Sequence, residues 1–195
     1  MKVLLKLDGR TESGGAPMLM HCDRLADPLD EYARAISAIS GKRKKTEEEL
    51  LEISRLEFLG GLYLNGNGPC IPANNIHRCL RDGATKHKRG KDVPRGVWPI
   101  DIHADLQYDG PRDPEELWKS QEFALRKPVG INSKRVVRTR PVFVDWQAQL
   151  TVEVDPVIFD LHHLKVFWED AGKYYGIGDM RPYYGKFHGT LEEVQ

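Results

Sequence analysis

A chain of 195 residues can build one substantial core or two small ones, and its 29 basic residues balance 29 acidic ones. No net field therefore draws it to nucleic acid or to a membrane, and any polyanion contact must come from local segregation of charge. No apolar run approaches the ~20 residues that cross a bilayer, and three widely spaced cysteines, Cys22, Cys70 and Cys79, with no Cys-x-x-Cys pair and no signal peptide, fit a reduced, cytoplasmic protein.

Val3 to Leu7 alternates weakly and runs into Asp8-Gly9, which reads as a first strand. From Ala26 to Ile39 the residues Leu29, Tyr32, Ala33, Ile36 and Ile39 recur at helical spacing, and Gly41 with the run KRKK closes that helix. Lys42–Lys45 reads as a solvated loop. Thr46 followed by Glu47, Glu48 and Glu49 is an N-cap with an acidic first turn, starting a second helix expected to end near Arg55. Leu56 to Leu64, with its internal Gly60-Gly61, reads as a bent strand or two short pieces.

Gly68–Arg81, GPCIPANNIHRCLR, is more specific. Pro72 fixes its own φ and pushes Ile71 toward extended geometry, so a turn is expected to deliver a helix from near Ile76, capped by Asn74 or Asn75. Ile76, Cys79 and Leu80 share a stripe, whereas Arg78, Arg81, Lys86 and Lys88 project elsewhere. That is the local anatomy of a phosphate-binding face. His87 to Trp98, rich in charge, glycine and proline, reads as an exposed loop, and Ile100 to Tyr108 alternates in part. Asp113-Pro114-Glu115-Glu116 starts one helical turn that reaches Trp118.

Arg135 to Phe143 and Gln147 to Val154 read as two strands flanking Asp145-Trp146. Asp160 caps a helix whose buried stripe is Leu161, Leu164, Phe167, Trp168 and Ala171, ended by Gly172 or Gly176. Charge is segregated along the way. Phe123 to Val144 holds six Lys or Arg (Arg126, Lys127, Lys134, Arg135, Arg138, Arg140) and no acid, whereas Asp101 to Glu122 is acid-rich. The order strand, helix, strand, strand, helix fits a ferredoxin-like α+β sandwich, an antiparallel sheet with helices on one face. The helices of the N-terminal part then form an insertion, and the chain reads as a single domain with insertions at about 22–55 and 87–122. Periodicity alone also admits other two-layer folds.

The tail GIGDMRPYYGKF places Gly176, Gly178 and Gly185 where backbone can adopt φ > 0 or approach another group closely, beside Arg181, Lys186, Tyr183, Tyr184 and Phe187. Arginine with aromatics is the combination that sequence-tolerant binding of single strands uses. The same residues also serve to turn the chain from helix to last strand and to seal the core edge, and both readings hold together. The motif follows a helix rather than opening one and lacks the Lys-Ser/Thr of a P-loop, so neither nucleotide fold is supported.

IPANNIHRCLR and GIGDMRPYYGKF together resemble the RAMP superfamily, ferredoxin-like proteins that include the guide-RNA-binding backbone subunits of CRISPR effector complexes. The first stands where those proteins carry Ile-Pro-Gly-Ser-Ser leading a helix that ends in Arg, here with Ala73-Asn74-Asn75 in place of Gly-Ser-Ser, and the second is similar to their C-terminal glycine-rich loop. RVVRTRPVF, WQAQLTVEVD and the helix running into the glycine loop also resemble uncharacterised bacteriophage proteins, and the likeness covers about Pro69 to Phe187. It implies an RRM-like fold, non-catalytic binding of single-stranded RNA or DNA, self-association along the strand and, for a phage-encoded chain, the cytoplasm of a bacterial host. Some members cleave RNA with an early-loop acid or a histidine. Asp23, Asp27 and Asp30 are available to such a loop, but no pattern singles one out and no catalytic residue is carried over.

Elementary chemistry points to no cofactor or metal. His162 and His163 are adjacent on a helix, about 100° apart, and His21-Cys22-Asp23 lacks a second ligand pair at zinc spacing. His77 and His87 sit beside the basic helix, within reach of a phosphate. The expected nucleic-acid-binding set is Arg78, Arg81, Lys86, Lys88, Arg135, Arg138, Arg140, Arg181, Tyr183, Tyr184 and Lys186, with Arg81, Arg138 and Arg181 meeting in one groove under Gly176, Gly178 and Gly185. Two other classes use the same residues: an anti-defence sponge enclosing a small nucleotide, and a virion assembly protein whose basic strand meets an acidic patch of the next copy.

Overall fold

The computed structural model describes residues 1–131 and 134–194. In chain order its elements are β1 (Lys2–Asp8), β2 (Met18–Leu19), α1 (Glu31–Ser40), α2 (Glu47–Gly61), β3 (Leu64–Asn65), β4 (Gly68–Pro72), α3 (Ala73–Thr85), α4 (Val93–Gly96) and β5 (Val97–Pro99). They continue as β6 (His103–Asp105), α5 (Pro114–Ser120), β7 (Ala124–Ile131), β8 (Lys134–Phe143), β9 (Gln147–Val154), α6 (Leu161–Asp170) and β10 (His188–Val194). The chain divides into two compact units, the first from Met1–Leu19, Leu64–Asp109 and Phe143–Gln195, the second from Met20–Tyr63 and Gly110–Val142. Among the described residues no helix is long and apolar enough to cross a membrane.

The first unit is organised by a four-stranded antiparallel sheet in the order β10-β1-β9-β5. Its register follows from the alternation of β1: Val3, Leu5 and Leu7 are buried and lie opposite Val152, Leu150 and Ala148, so one face is continuous hydrocarbon. Helix α6 covers that face. Gly189, opposite Leu7, lies under the Trp168 carbonyl, where a Cβ would sit at 2.7 Å, and the Trp168 indole donates to the Lys6 carbonyl at 3.0 Å. Asp160 caps α6 by accepting from the His163 N–H, as expected. Helix α3 packs on α6 so tightly that a Cβ on Gly83 would stand 2.2 Å from the Phe167 carbonyl oxygen. Ile76, Cys79 and Leu80 are the buried stripe of α3 that its spacing indicates.

Two local expectations for this unit are corrected. Helix α3 starts at Ala73, three residues early, and neither asparagine caps it. Pro72 occupies the cap position, and the Ala73 N–H is satisfied instead by the Ile102 carbonyl at 2.9 Å, so the orphan donor finds a partner from a distant loop. His87 to Trp98 is not simply an exposed loop. It contains α4 and β5, and Gly90, Val93, Gly96 and Val97 are buried, with Val97 paired to Val154 at the sheet edge. Glycine and charge masked two apolar residues at positions 93 and 97 that the sheet recruits.

The second unit holds α1, α2, α5 and the β7–β8 hairpin. Asp30 caps α1 by accepting from the Tyr32 and Ala33 N–H groups, so the helix starts at Glu31 rather than Ala26, after a 3-10 turn at Asp23–Ala26. Thr46 and Glu49 form a reciprocal capping box on α2. That helix runs past Arg55 to Gly61, which overturns the strand expected from Leu56 onward. The glycines are there for contact: a Cβ on Gly60 would sit 2.7 Å from Leu25, and one on Gly61 would sit 3.0 Å from the Pro141 ring. Close packing offsets the roughly 1 kcal/mol that a glycine costs inside a helix. Asp113 caps α5, and Trp118 meets Phe58 at 5.5 Å. Strand β8 pairs with β7, an element the sequence reading lacks, whereas β9 pairs with β1 and β5.

Candidate nucleic-acid interface

Asp82 lies one turn beyond Arg78 on α3 and accepts from its Nε at 3.1 Å. The other oxygen of the same carboxylate receives Arg181 Nη1 of the glycine-rich tail at 3.3 Å, and that Nη1 also donates to the Gly176 carbonyl at 3.2 Å. The two motifs are thus joined at one carboxylate. Arg81, three residues from Arg78 on the same helix, is half-buried.

The cations continue along α3. Lys86, the residue after the end of α3, is about 12 Å along the axis from Arg78 at 1.5 Å per residue. Its Nζ reaches Asp170 at 3.0 Å and sits 3.9 Å from the centre of the Tyr174 ring. His87 Nε2 is 2.6 Å from the same carboxylate, with its ring 5.1 Å from Phe167. Burial pushes the Asp170 carboxyl up, but hydrogen bonds from His87 and Lys86 outweigh it and the net direction is down. The Asp170 hydrogen bond raises Lys86 in turn. Lys88 is exposed, with φ of 61°.

From Tyr174 the track turns to Lys173, whose Nζ is 5.2 Å from the same ring. Lys173 and Lys186 then share a cavity of about 400 Å³ with Ser13, Glu169, Phe187 and His188. Arg78 and Arg181 thus pair with Asp82 and Lys86 with Asp170, while Lys173 and Lys186 share their cavity with Glu169. Tyr174 is 45% and Tyr183 77% exposed, so two flat rings stand open to solvent. Tyr184 is half-buried, edge-on to Tyr183 at 5.1 Å.

The glycines serve the protein's own backbone. Gly176, Gly178 and Gly185 have φ of 68°, 87° and 74°. A Cβ on Gly185 would fall 1.7 Å from the Ile177 carbonyl oxygen, and one on Gly178 2.4 Å from that of Leu19. The Gly185 N–H donates to the Pro17 carbonyl and the Asp179 N–H to that of Leu19, each at 2.8 Å, so the loop is laced to the segment after β1. Phe187 is buried against Trp168 at 4.9 Å, sealing the core edge. Burial pushes the Cys79 thiol up to about 12, leaving it inert.

Arg135, Arg138 and Arg140 belong to the second unit. Arg135 is exposed, opposite Gly130. Arg138 is not a loose surface cation: its Nη1 binds Glu57, a buried carboxylate of α2 whose other oxygen accepts from the Thr139 N–H at 2.8 Å. Arg140 is half-buried beside it. The structure therefore brings together Arg78, Arg181, Lys86 and Lys186 within one unit, and it commits Arg138 to an ion pair. Asp82, Asp170, Lys173 and Tyr174 were missed in the sequence. Asp82, four residues from Arg78, was the one with a readable signal.

Among the described residues no group of three or more His, Cys, Asp or Glu is placed to hold a metal ion. Comparison with protein-family models and with curated proteins finds no match for this chain.

Proposed function

We propose that this protein binds single-stranded nucleic acid, RNA or DNA, without cutting it, along the cationic track of the first unit. The observation that carries the reading is Asp82 holding Arg78 and Arg181 together. A carboxylate that clamps two guanidinium groups still leaves N–H donors on each for phosphate oxygens, and exposed Tyr183, two residues from Arg181 in the chain, supplies a ring for a base. The strand order supports a ferredoxin-like, RRM-like fold for this unit. Counting β1, β5, β9 and β10 as first to fourth, the sheet runs fourth, first, third, second, with α3 and α6 as the intervening helices. On that reading the second unit is built from insertions, and the chain is a RAMP-like, phage-type protein that self-associates along its strand. Three buried cysteines, none of them in a disulfide among the described residues, support a reducing cytoplasm as its setting.

Fluorescence polarisation with labelled single-stranded RNA and DNA at several salt concentrations tests this. Each phosphate contact on a single strand contributes about 0.7 to the slope of log affinity on log salt. Steep salt dependence, reduced in Arg181→Ala/Lys186→Ala, is expected. Absence of binding at low salt, or an unchanged slope in the folded double variant, overturns the reading.

A further inference from the structure

Strand β10 ends one side of the first-unit sheet, and among the described residues it pairs with β1 alone. The register shows which of its backbone groups face outward. Met1 and Val154 exchange hydrogen bonds at 2.8 Å in both directions, and the Gly9 N–H donates to the Trp146 carbonyl at 2.8 Å, so the odd-numbered residues of β1 bond to β9. Antiparallel ladders alternate. The even-numbered residues Lys2, Leu4, Lys6 and Asp8 therefore bond to their partners on β10, which are Val194, Glu192, Thr190 and His188. The N–H and C=O groups of Gly189, Leu191 and Glu193 point the other way, away from β1. An edge of this kind is a template for another strand.

The edge is polarised. At its N-terminal end a cavity of about 400 Å³ is lined by Phe187, His188 and Gly189 together with Lys173, Lys186 and Glu169. At its C-terminal end stand Glu192 and Glu193, both exposed. A strand basic at one end and acidic at the other complements a copy of itself laid antiparallel, because each end then meets its opposite. A two-fold pairing centred on Thr190 sets Glu192 opposite His188, Leu191 opposite Gly189 and Glu193 opposite Phe187. Directly opposite residues share a face of the sheet, and Phe187 and Gly189 both lie against Trp168 of α6. Glu193 of the second copy thus arrives on the α6 side, where Lys173 and Lys186 line the cavity. Gly189 has no side chain, which leaves room for the half-buried Leu191 of the other copy. Other centres fit less well. Centring on Leu191 sets the two acids opposite Thr190 and Gly189, with no cation, and centring on Glu192 or Glu193 sets that acid against itself. Centring on Gly189 overlaps only His188 to Thr190 of the strand.

We propose that β10 is a self-docking edge: two copies of this chain pair antiparallel through β10 about Thr190, with Glu193 of each seated against Lys173 and Lys186 of the other. Their two sheets then become one continuous sheet. The pair is closed by its two-fold axis and forms without nucleic acid, so it differs from association along a strand and does not rest on the nucleic-acid reading.

Sedimentation velocity on the full chain tests this, free of nucleic acid because the track uses the same lysines. At low salt and up to about 1 mM protein, a shift from one copy to two is expected, saturating at two and weakened by added salt. Glu193→Lys, which sets like charges together, should raise the dissociation constant about tenfold or more. Adding Lys173→Glu and Lys186→Glu to it should restore pairing. Leu191→Pro removes an outward N–H and leaves the ladder to β1 its donors, so the folded variant should stay monomeric. A monomer over the whole range, growth past two copies, undiminished pairing in Glu193→Lys, or a charge swap that restores nothing overturns the proposal.

Discussion

At the scale of single residues, a buried carboxylate decides what Arg138 is for. Its partner Glu57 is only 5% exposed, so removing the guanidinium leaves a charge in low dielectric with one remaining donor. Arg138→Ala is expected to destabilise the protein by about 2–3 kcal/mol in chemical denaturation, less than a fully buried pair because Arg138 is partly solvated. Adding Glu57→Gln should recover part of that loss. The opposite expectation, that Arg138 is an exposed cation removable at little cost, follows from alternation alone, which does not reveal a carboxylate 81 residues away. Gly185 is similarly legible in kind but not in partner. Its φ of 74° and the 1.7 Å approach to the Ile177 carbonyl predict that Gly185→Ala destabilises by more than about 2 kcal/mol. Gly66→Ala, with open space around it, should be nearly neutral, and thermal melts of the pair check this. A third residue reports on pH. The Arg10 hydrogen bond, helped by Ser13 and resisted by burial, lowers the Asp8 carboxyl from 3.8 to about 2. Because the folded value lies below the unfolded one, Asp8 stabilises the protein fully above about pH 4, and the contribution disappears as pH falls toward 2. Melting temperature followed over that window should fall less steeply in Asp8→Asn than in the parent.

At the scale of elements, the sequence is most reliable where a cap and an apolar stripe agree. Asp160 with Leu164, Phe167 and Trp168 marks α6, and Thr46 with Glu49 marks the start of α2. Loss of the α2 cap through Thr46→Ala should cost about 1 kcal/mol by denaturant titration. Ends were harder to read. Gly60 and Gly61 look like a break, yet α2 continues through them because Leu25, Tyr32 and Pro141 need the space that side chains would take. The start of α3 moved for a related reason: Ile102, from a segment that no local pattern connects to it, supplies through its carbonyl the acceptor for a first-turn N–H that an asparagine cap's side-chain oxygen would otherwise supply. Propensity describes the isolated helix, and in both cases a tertiary neighbour outweighs it.

For the whole molecule, the division into two units assigns the cations of α3 and the tail to one unit and those of β8 to the other. Arg181→Ala/Lys186→Ala should lower the salt slope of strand binding by about 1.4, whereas Arg138→Ala is expected to show itself first in stability, through its ion pair with Glu57. Composition, periodicity and caps determine that the chain alternates strands and helices in an antiparallel α+β arrangement, that α3 is amphipathic with a basic side, and that the tail glycines make a special turn, because each property belongs to residues a few positions apart. Which strand pairs with which, that the tail arginine reaches Asp82, and that the hydrocarbon of α1 is left half-covered were decided only by the tertiary structure. Those contacts join residues dozens of positions apart, where distance in the chain carries no information about distance in space.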